Sequence, residues 1–174
     1  PEAAIRLFMR LGDIVGNLLA DQVVHGGADA VQLFDTWAGL LDVATYRRFA
    51  MPATARAIEV FRERCTTRTP LIHYAKASGH LHGAIMELDI DGLSLDWRDD
   101  LRAYRASHGK RLALQGNLDP TFMHGSTEAA VSAAEAVLAA AGDAPGYIFN
   151  LGHGFAPSAR IECVEAVLRT VEGR

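Results

Sequence analysis

The chain has 174 residues, of which 49% are hydrophobic and 22% are charged, and its formal net charge at pH 7 is −4. This length and composition are typical of one soluble globular domain with a sizeable core. The slightly acidic balance, with no run of lysines or arginines, argues against nucleic acid and against an anionic membrane surface as partners. No apolar run approaches the roughly 18 residues that a membrane-spanning helix needs.

Two features bear on the origin of the chain. Cys65 and Cys163 are far apart and match no metal or redox spacing, which favours a reducing cytoplasm. The chain opens with Pro1 rather than Met, and a helical pattern begins almost at once, from Ala3 to about Asp21. We therefore expect this sequence to be a fragment of a longer protein.

Short apolar runs and helical patterns alternate after this first helix. In chain order the predicted elements are the strand Ala30–Phe34, the helices Val43–Ala50 and Pro52–Arg64, the strand Leu71–Ala75, the helix Gly79–Leu88, the strand Gly92–Leu95, the helix Asp99–His108, the strand Arg111–Leu114, a helix from Ser126 or Thr127 to Gly142, the strand Tyr147–Leu151 and a helix around Ile161–Leu168. Asp42 is expected to cap the helix that follows it, and Pro52 is expected to divide that helix in two.

This alternation predicts an α/β fold with a parallel sheet and right-handed crossovers. The strands are continuous apolar runs, so both faces of the sheet are expected to be covered. Two architectures fit, an open doubly wound sheet or part of a (β/α)8 TIM barrel. A complete barrel needs about 250 residues, so this chain would supply roughly the last five β/α units.

The segments that directly follow the strands are expected to share one edge of the sheet, where α/β folds place their ligands. These segments are FDTWAG (34–39), HYAKASGH (73–80), LDW (95–97), QGNLDP (115–120) and NLGHG (150–154). They combine hydrogen-bonding groups and aromatic rings with few net charges. Such a lining suits a large, mostly apolar ligand with polar substituents.

Each polar residue in these segments also has a purely structural interpretation. His153 lies between two glycines at a strand end, where a ligand could reach it, but it could equally be a loop histidine. Asp35 could cap a turn, Thr36 could bond to the backbone and Lys76 could be a solvated cation. The histidines at 80 and 82 are interpreted as structural or surface residues. The chain has no dinucleotide-binding, Walker or nucleophile-elbow motif.

Taken together, these segments resemble the uroporphyrinogen decarboxylase family from the first helix to the last. The resemblance rests on GADAVQLFDTWAG (27–39), AK-x-x-GH (75–80), GLSLDW (92–97), ALQGNLDP (113–120) and YIFNLGHG (147–154), which occur in the family's order and spacing. LQGNLDP and NLGHG are specific motifs, and a chance match to both in one chain is not expected.

The resemblance implies a (β/α)8 barrel, usually a homodimer, that acts in heme biosynthesis. The family removes the four acetate carboxylates of uroporphyrinogen III as CO2 and gives coproporphyrinogen III, with no metal and no organic cofactor. By the family's motifs, Thr36 and His153 would bind carboxylate side chains of the substrate, and Phe34 would line the pocket. Residues 1–174 would form a single partial domain, the C-terminal portion of the barrel.

The resemblance also implies that important residues lie elsewhere. The family's N-terminal half carries an arginine-rich motif that holds carboxylates and an aspartate that holds the pyrrole NH groups, and a tyrosine also contacts the substrate. No segment of this chain matches them. We therefore expect no catalytic residue here and no decarboxylase activity from this polypeptide alone.

Two alternatives compete with this interpretation. The related zinc-dependent methyltransferases share the barrel but hold zinc with a His-x-Cys pair and a further cysteine. Here the corresponding loop reads His73-Tyr74-Ala75, with alanine in the place of the thiolate. The second alternative is a non-catalytic half-barrel that pairs with another chain.

Overall fold

The computed structural model describes residues 1–109 and 111–173, and helices and short strands alternate along them. The strands are β1 (Val31–Phe34), β2 (Leu71–Tyr74), β3 (Gly92–Ser94), β4 (Ala113–Gln115) and β5 (Tyr147–Ile148). The α-helices are α1 (Glu2–Val24), α2 (Val43–Thr45), α3 (Met51–Arg64), α4 (His82–Ile85), α5 (Leu101–His108), α6 (Thr127–Ala141) and α7 (Ile161–Glu172). Short 3₁₀ turns occupy Ala38–Leu40, Gly79–Leu81 and Pro120–His124.

The strands form one sheet in the order β1-β2-β3-β4-β5. β1 and β2 are parallel, with Val31 opposite Leu71, and β4 and β5 are parallel, with Leu114 opposite Tyr147. Parallel neighbours that follow each other in the chain need a crossover, which the helices between them supply. The predicted parallel α/β fold is confirmed.

Contacts within the chain define two compact units, an N-terminal unit (Pro1–Leu93) and a C-terminal unit (Ser94–Arg174). In the N-terminal unit, α1 lies closely against α3. A Cβ added at Gly12 would lie 2.6 Å from the Ala53 carbonyl oxygen, and one added at Gly16 would lie 2.5 Å from that of Ala57. Two glycines one turn apart therefore allow the helix backbones to approach each other.

The C-terminal unit has a core between α6, α7 and the turn before α6. Its buried members are Leu118, Met123, Ala130, Ala134, Cys163 and Val167. The Ser126 hydroxyl accepts a hydrogen bond from the Ala129 amide at 3.2 Å and caps α6, as one of the two predicted caps. In the described parts of both units, no helix is long and apolar enough to cross a membrane.

Some predicted elements differ in detail from the structure. The helix after Asp42 changes at Ala50 from a π turn (Tyr46–Ala50) to α3, so the chain stays helical through Pro52. Pro52 lies in the first turn of α3, directly after the π turn, so its missing amide donor falls where the helical hydrogen-bonding pattern changes. The predicted helix Gly79–Leu88 is shorter, a 3₁₀ turn followed by α4.

The fifth strand is also shorter than predicted, because β5 ends at Ile148 rather than at Leu151. Beyond Ile148, the Leu151 amide donates to the Asn150 side-chain oxygen at 2.8 Å, while the Leu118 amide donates to the Asn150 carbonyl at 3.1 Å. Pairing resumes only as an isolated bridge between Leu151 and Leu118. The expectation that both sheet faces are covered fails at two positions, since Phe34 is 63% exposed and Ile148 is 43% exposed.

Two buried histidines lie in the N-terminal unit, His73 on β2 and His82 at the start of α4. The His82 Nε2 atom is 3.1 Å from the Ser78 hydroxyl, which donates to the Ala75 carbonyl at 2.7 Å. His73 is fully buried on β2, and neither of its ring nitrogens has a hydrogen-bond partner among the described residues. Burial lowers the pKa of His73 to about 4, and the neighbouring His82 lowers it further.

This burial predicts a loss of stability in acid. The ordinary histidine pKa is 6.5, and the pKa of His73 in the folded chain is about 4. Between these values the unfolded chain binds a proton on His73 that the folded chain does not, so the free energy of unfolding falls as the pH is lowered through this range, by about 3 kcal/mol in total. Substituting His73→Leu removes the titrating group and keeps an apolar side chain at a buried position, so the variant should lose less stability over the same range.

The measurement is urea unfolding across that pH range, with His124→Leu as a control because His124 is exposed. The control should behave like the unmodified protein. An equal acid-induced loss of stability in His73→Leu and in the unmodified protein would contradict the assignment to His73.

Candidate functional site

The N-terminal unit brings together the two segments that follow β1 and β2. The Asp35 amide donates a hydrogen bond to the Tyr74 carbonyl at 2.8 Å. The ring of Phe34 meets the ring of Tyr74 edge to face, with 5.8 Å between the ring centres. The His80 Nε2 atom lies 2.8 Å from the Leu41 carbonyl oxygen, so the segment after β2 is also tied to the turn after β1.

Asp35 begins a turn, as one of its two interpretations expected, and its side chain is also half-buried. The turn after β1 begins at Asp35, whose carbonyl accepts the Ala38 amide at 3.2 Å. Burial raises the pKa of the Asp35 carboxyl group, although a hydrogen bond from the Ala38 backbone opposes the shift. Burial also raises the pKa of Tyr46, and the negative charge of Asp35 raises it further. A half-buried carboxyl group thus lies near a buried phenol.

A cavity of about 510 Å³ lies in the N-terminal unit, lined by residues of α1, α3 and the end of β1. Phe34 and Asp35 belong to the lining, whose other residues are mainly apolar. Thr36, the predicted carboxylate ligand, follows them in the chain and is half-buried, but it does not line this cavity.

In the C-terminal unit, the segments after β3, β4 and β5 converge. The Asn117 side-chain amide donates to the carbonyl oxygens of Asp96 at 3.0 Å and Asp99 at 2.8 Å, so the segment after β4 holds the segment after β3. The Gly152 amide donates to the Leu118 carbonyl at 2.8 Å, which joins the segment after β5 to the same group. These bonds explain why polar residues occupy buried positions there.

Gly152 permits the closest of these approaches. A Cβ added at Gly152 would collide with the Trp97 backbone nitrogen and would lie 2.9 Å from the Trp97 Cα. Only a residue without a side chain fits at this distance. The contact brings His153 beside the indole, with nearly parallel rings (15°) whose centres are 6.4 Å apart.

The segment after β3 carries two carboxyl groups in different environments. Asp96 is 1% exposed, and its carboxylate accepts hydrogen bonds from the Arg98 amide at 3.0 Å and the Arg98 guanidinium at 2.8 Å. The Asp99 carboxylate accepts the Asp96 amide at 3.0 Å. Burial raises the pKa of Asp99 to about 6, and the charge of Asp96 adds to the increase. Asp99 thus changes its protonation state close to physiological pH.

Each unit thus contains part of the predicted site. Phe34 and Thr36 lie at the end of β1 in the N-terminal unit, and His153 lies beside Trp97 in the C-terminal unit. Two histidines were predicted to be structural or surface residues. Of these, His80 is exposed and His82 is buried. In the part of the chain that the structure describes, no group of three or more His, Cys, Asp or Glu side chains could hold a metal ion.

Sequence reasoning missed Arg98 and Asn117. Asn117 lies inside the motif QGNLDP, so its position was visible, but the two carbonyl groups that it holds are contributed by another segment. Arg98 directly follows LDW, and only the fold shows that it turns back onto Asp96.

The fold and the candidate site define the class of protein, an α/β protein with polar and aromatic residues at the ends of parallel strands. Comparison with known proteins identifies the family. The family model "Uroporphyrinogen decarboxylase (URO-D)" matches residues 1–174, and the chain belongs to this family. A uroporphyrinogen decarboxylase of Magnetococcus marinus is 37% identical over 174 residues, which cover 99% of this chain and 49% of the relative. One of Chloroflexus aggregans is 39% identical over 173 residues, covering 99% and 48%.

The chain therefore spans about half the length of the curated relatives that it matches. Among solved structures, a methyltransferase from Methanosarcina mazei superposes with a TM-score of 0.72 over 88% of this chain and 44% of that one. At 19% sequence identity this likeness shows a shared fold alone.

The contact between Gly152 and Trp97 predicts that alanine substitutions at two glycines of the same motif differ in their effect on stability. Gly152→Ala should destabilise the protein by about 1–3 kcal/mol, because the added methyl group overpacks against backbone that cannot move aside. Gly154→Ala is the matched control, since a Cβ at Gly154 would meet nothing within 4 Å. Thermal unfolding of both variants tests the contact, and equal unfolding temperatures would contradict it.

Proposed function

We propose that this chain is the C-terminal portion of a uroporphyrinogen decarboxylase barrel. The whole protein would remove the four acetate carboxylates of uroporphyrinogen III as CO2 and give coproporphyrinogen III. The observation that carries the proposal is the family match over residues 1–174, together with relatives of that name at 37% and 39% identity. We further propose a cytoplasmic homodimer, as the family resemblance implies.

Thr36 and His153 are proposed to bind carboxylate side chains of the substrate, and Phe34 is proposed to line its pocket. A hydroxyl group and an imidazole N–H can each donate a hydrogen bond to a carboxylate, and the bond from the imidazole is stronger when the ring is protonated. A bound carboxylate would in turn favour the protonated ring. The half-buried positions of Thr36 and His153 support this role, because a partly desolvated hydrogen bond is stronger than an exposed one.

The decarboxylation itself needs a group that accepts the electron pair of the broken C–CO2 bond. In the proposed reaction the substrate supplies this group. A pyrrole ring protonated on a ring carbon accepts the electron pair as CO2 leaves, the exocyclic CH2 carbon then takes up a proton, and the ring loses the proton that it had gained. The residues of this chain would therefore bind and orient the substrate. The aspartate that holds the pyrrole NH groups is expected in the N-terminal half of the whole protein.

The first test compares the 174-residue chain with the longer protein that contains it. The chain alone should convert no uroporphyrinogen, and the longer protein should release CO2 and form coproporphyrinogen. Measurable turnover by the chain alone would contradict the division of roles between the two halves. An inactive longer protein would favour the non-catalytic alternative.

The second test concerns the two proposed carboxylate ligands in the longer protein. His153→Ala should raise the KM for uroporphyrinogen by about tenfold, because one hydrogen bond to a charged group is lost. Thr36→Val should also raise KM, whereas Thr36→Ser keeps the hydroxyl group and should not. His124→Ala provides an exposed histidine as the control. Unchanged kinetics in His153→Ala would exclude His153 as a substrate ligand.

A further inference from the structure

Arg98 is held in a defined position at the end of β3. Its Nη1 atom lies 2.8 Å from both carboxylate oxygens of Asp96, and its guanidinium carbon lies 3.9 Å from the centre of the Trp97 ring. The Arg98 amide bonds to Asp96 as well, at 3.0 Å. A long, flexible side chain is thereby fixed at its charged end, so little further conformational entropy is lost when it binds a ligand.

The two partners of this ion pair differ greatly in exposure. The Asp96 side chain is 1% exposed, whereas that of Arg98 is 53% exposed. The carboxylate is therefore enclosed by protein, and the pair presents the donors of the guanidinium group to solvent. Arginine has five N–H donors, and in the described residues only those of Nη1 have a hydrogen-bond partner. Nε and Nη2 remain available to an external acceptor.

His153 lies against the same indole ring as Arg98. The centre of its ring is 6.4 Å from the centre of the Trp97 ring, and the contact between Gly152 and the Trp97 backbone holds the segment that carries it. Two side chains that can donate hydrogen bonds to an anion are thus anchored on one aromatic residue within the C-terminal unit. A carboxylate is the anion that the guanidinium group of Arg98 suits, since a guanidinium can bind it through two parallel hydrogen bonds.

We propose that Arg98 binds a carboxylate side chain of the substrate, with Asp96 and Trp97 holding the guanidinium group in place. This inference rests on the proposed function for the identity of the substrate. The new element is a cation, the Arg98 guanidinium group, that the C-terminal half of the proposed barrel would supply for substrate binding.

The test uses the longer protein and three variants. Arg98→Gln removes the charge and should raise the KM for uroporphyrinogen by about tenfold with little change in kcat, because a charged hydrogen bond to the bound substrate is lost. Arg98→Lys keeps the charge without the bidentate geometry and should give an intermediate KM. Arg102→Gln removes an exposed arginine on the next helix and should leave KM unchanged.

The dependence of KM on salt separates binding from a structural role. Loss of a cation that attracts the substrate should make KM less sensitive to salt in Arg98→Gln, whereas a loosened loop should lower kcat and the unfolding temperature and leave the salt sensitivity unchanged. Inhibition by coproporphyrinogen shows which substrate carboxylate Arg98 binds, because this product has lost the acetate carboxylates and keeps only the propionate groups. Weaker inhibition in Arg98→Gln would indicate a propionate, and unchanged inhibition with a raised substrate KM would indicate an acetate.

Binding of the stable polycarboxylate uroporphyrin, followed by tryptophan fluorescence, distinguishes the two proposals. If the unmodified protein turns over uroporphyrinogen but Arg98→Gln has an unchanged KM and salt sensitivity, the assignment of Arg98 is wrong and the proposed function stands. If the unmodified protein has no turnover but binds uroporphyrin more tightly than Arg98→Gln does, the proposed function fails and the carboxylate site stands. No turnover and equal uroporphyrin binding would overturn both.

Discussion

The candidate site in the C-terminal unit depends on the close approach of Gly152 to the backbone of Trp97. This contact leaves no room for a Cβ, and it fixes the distance between the segments after β3 and β5. The hydrogen bonds from Asn117 fix the third segment to the same place. Backbone and buried amide groups thereby establish a rigid frame, and the side chains of His153 and Arg98 project from it. A binding site built on such a frame loses little entropy when a ligand arrives.

Charge in this unit is arranged so that carboxylates are enclosed and a cation is presented to solvent. Two aspartates lie within one short segment, and an uncompensated pair would be costly at this burial. Arg98 pairs with Asp96, whereas the cost of burying Asp99 is reflected in its raised pKa. The same arrangement that makes buried carboxylates tolerable therefore orients the guanidinium group outward.

Much of the fold could be predicted from the sequence because short apolar runs alternate with helical patterns and because caps such as Asp42 and Ser126 act through neighbouring residues. The residues at the strand ends were recognisable for the same reason, as they follow each run directly. What could not be predicted depends on distant segments. The orientation of Arg98 is set by a carboxylate whose burial only the fold reveals. The burial of His82 likewise results from tertiary packing.

Exposed apolar groups in the N-terminal unit mark a surface that the described residues leave uncovered. Phe34, on the edge strand β1, is 63% exposed beside a cavity lined mainly by apolar side chains of α1 and α3. Leu7, Ile14 and Leu18 are each more than half exposed along α1, and such a stripe normally marks a surface that another element covers. Since the relatives are about twice as long as this chain, their additional length is sufficient for such an element. An element that covered α1 and Phe34 would close the apolar cavity of the N-terminal unit.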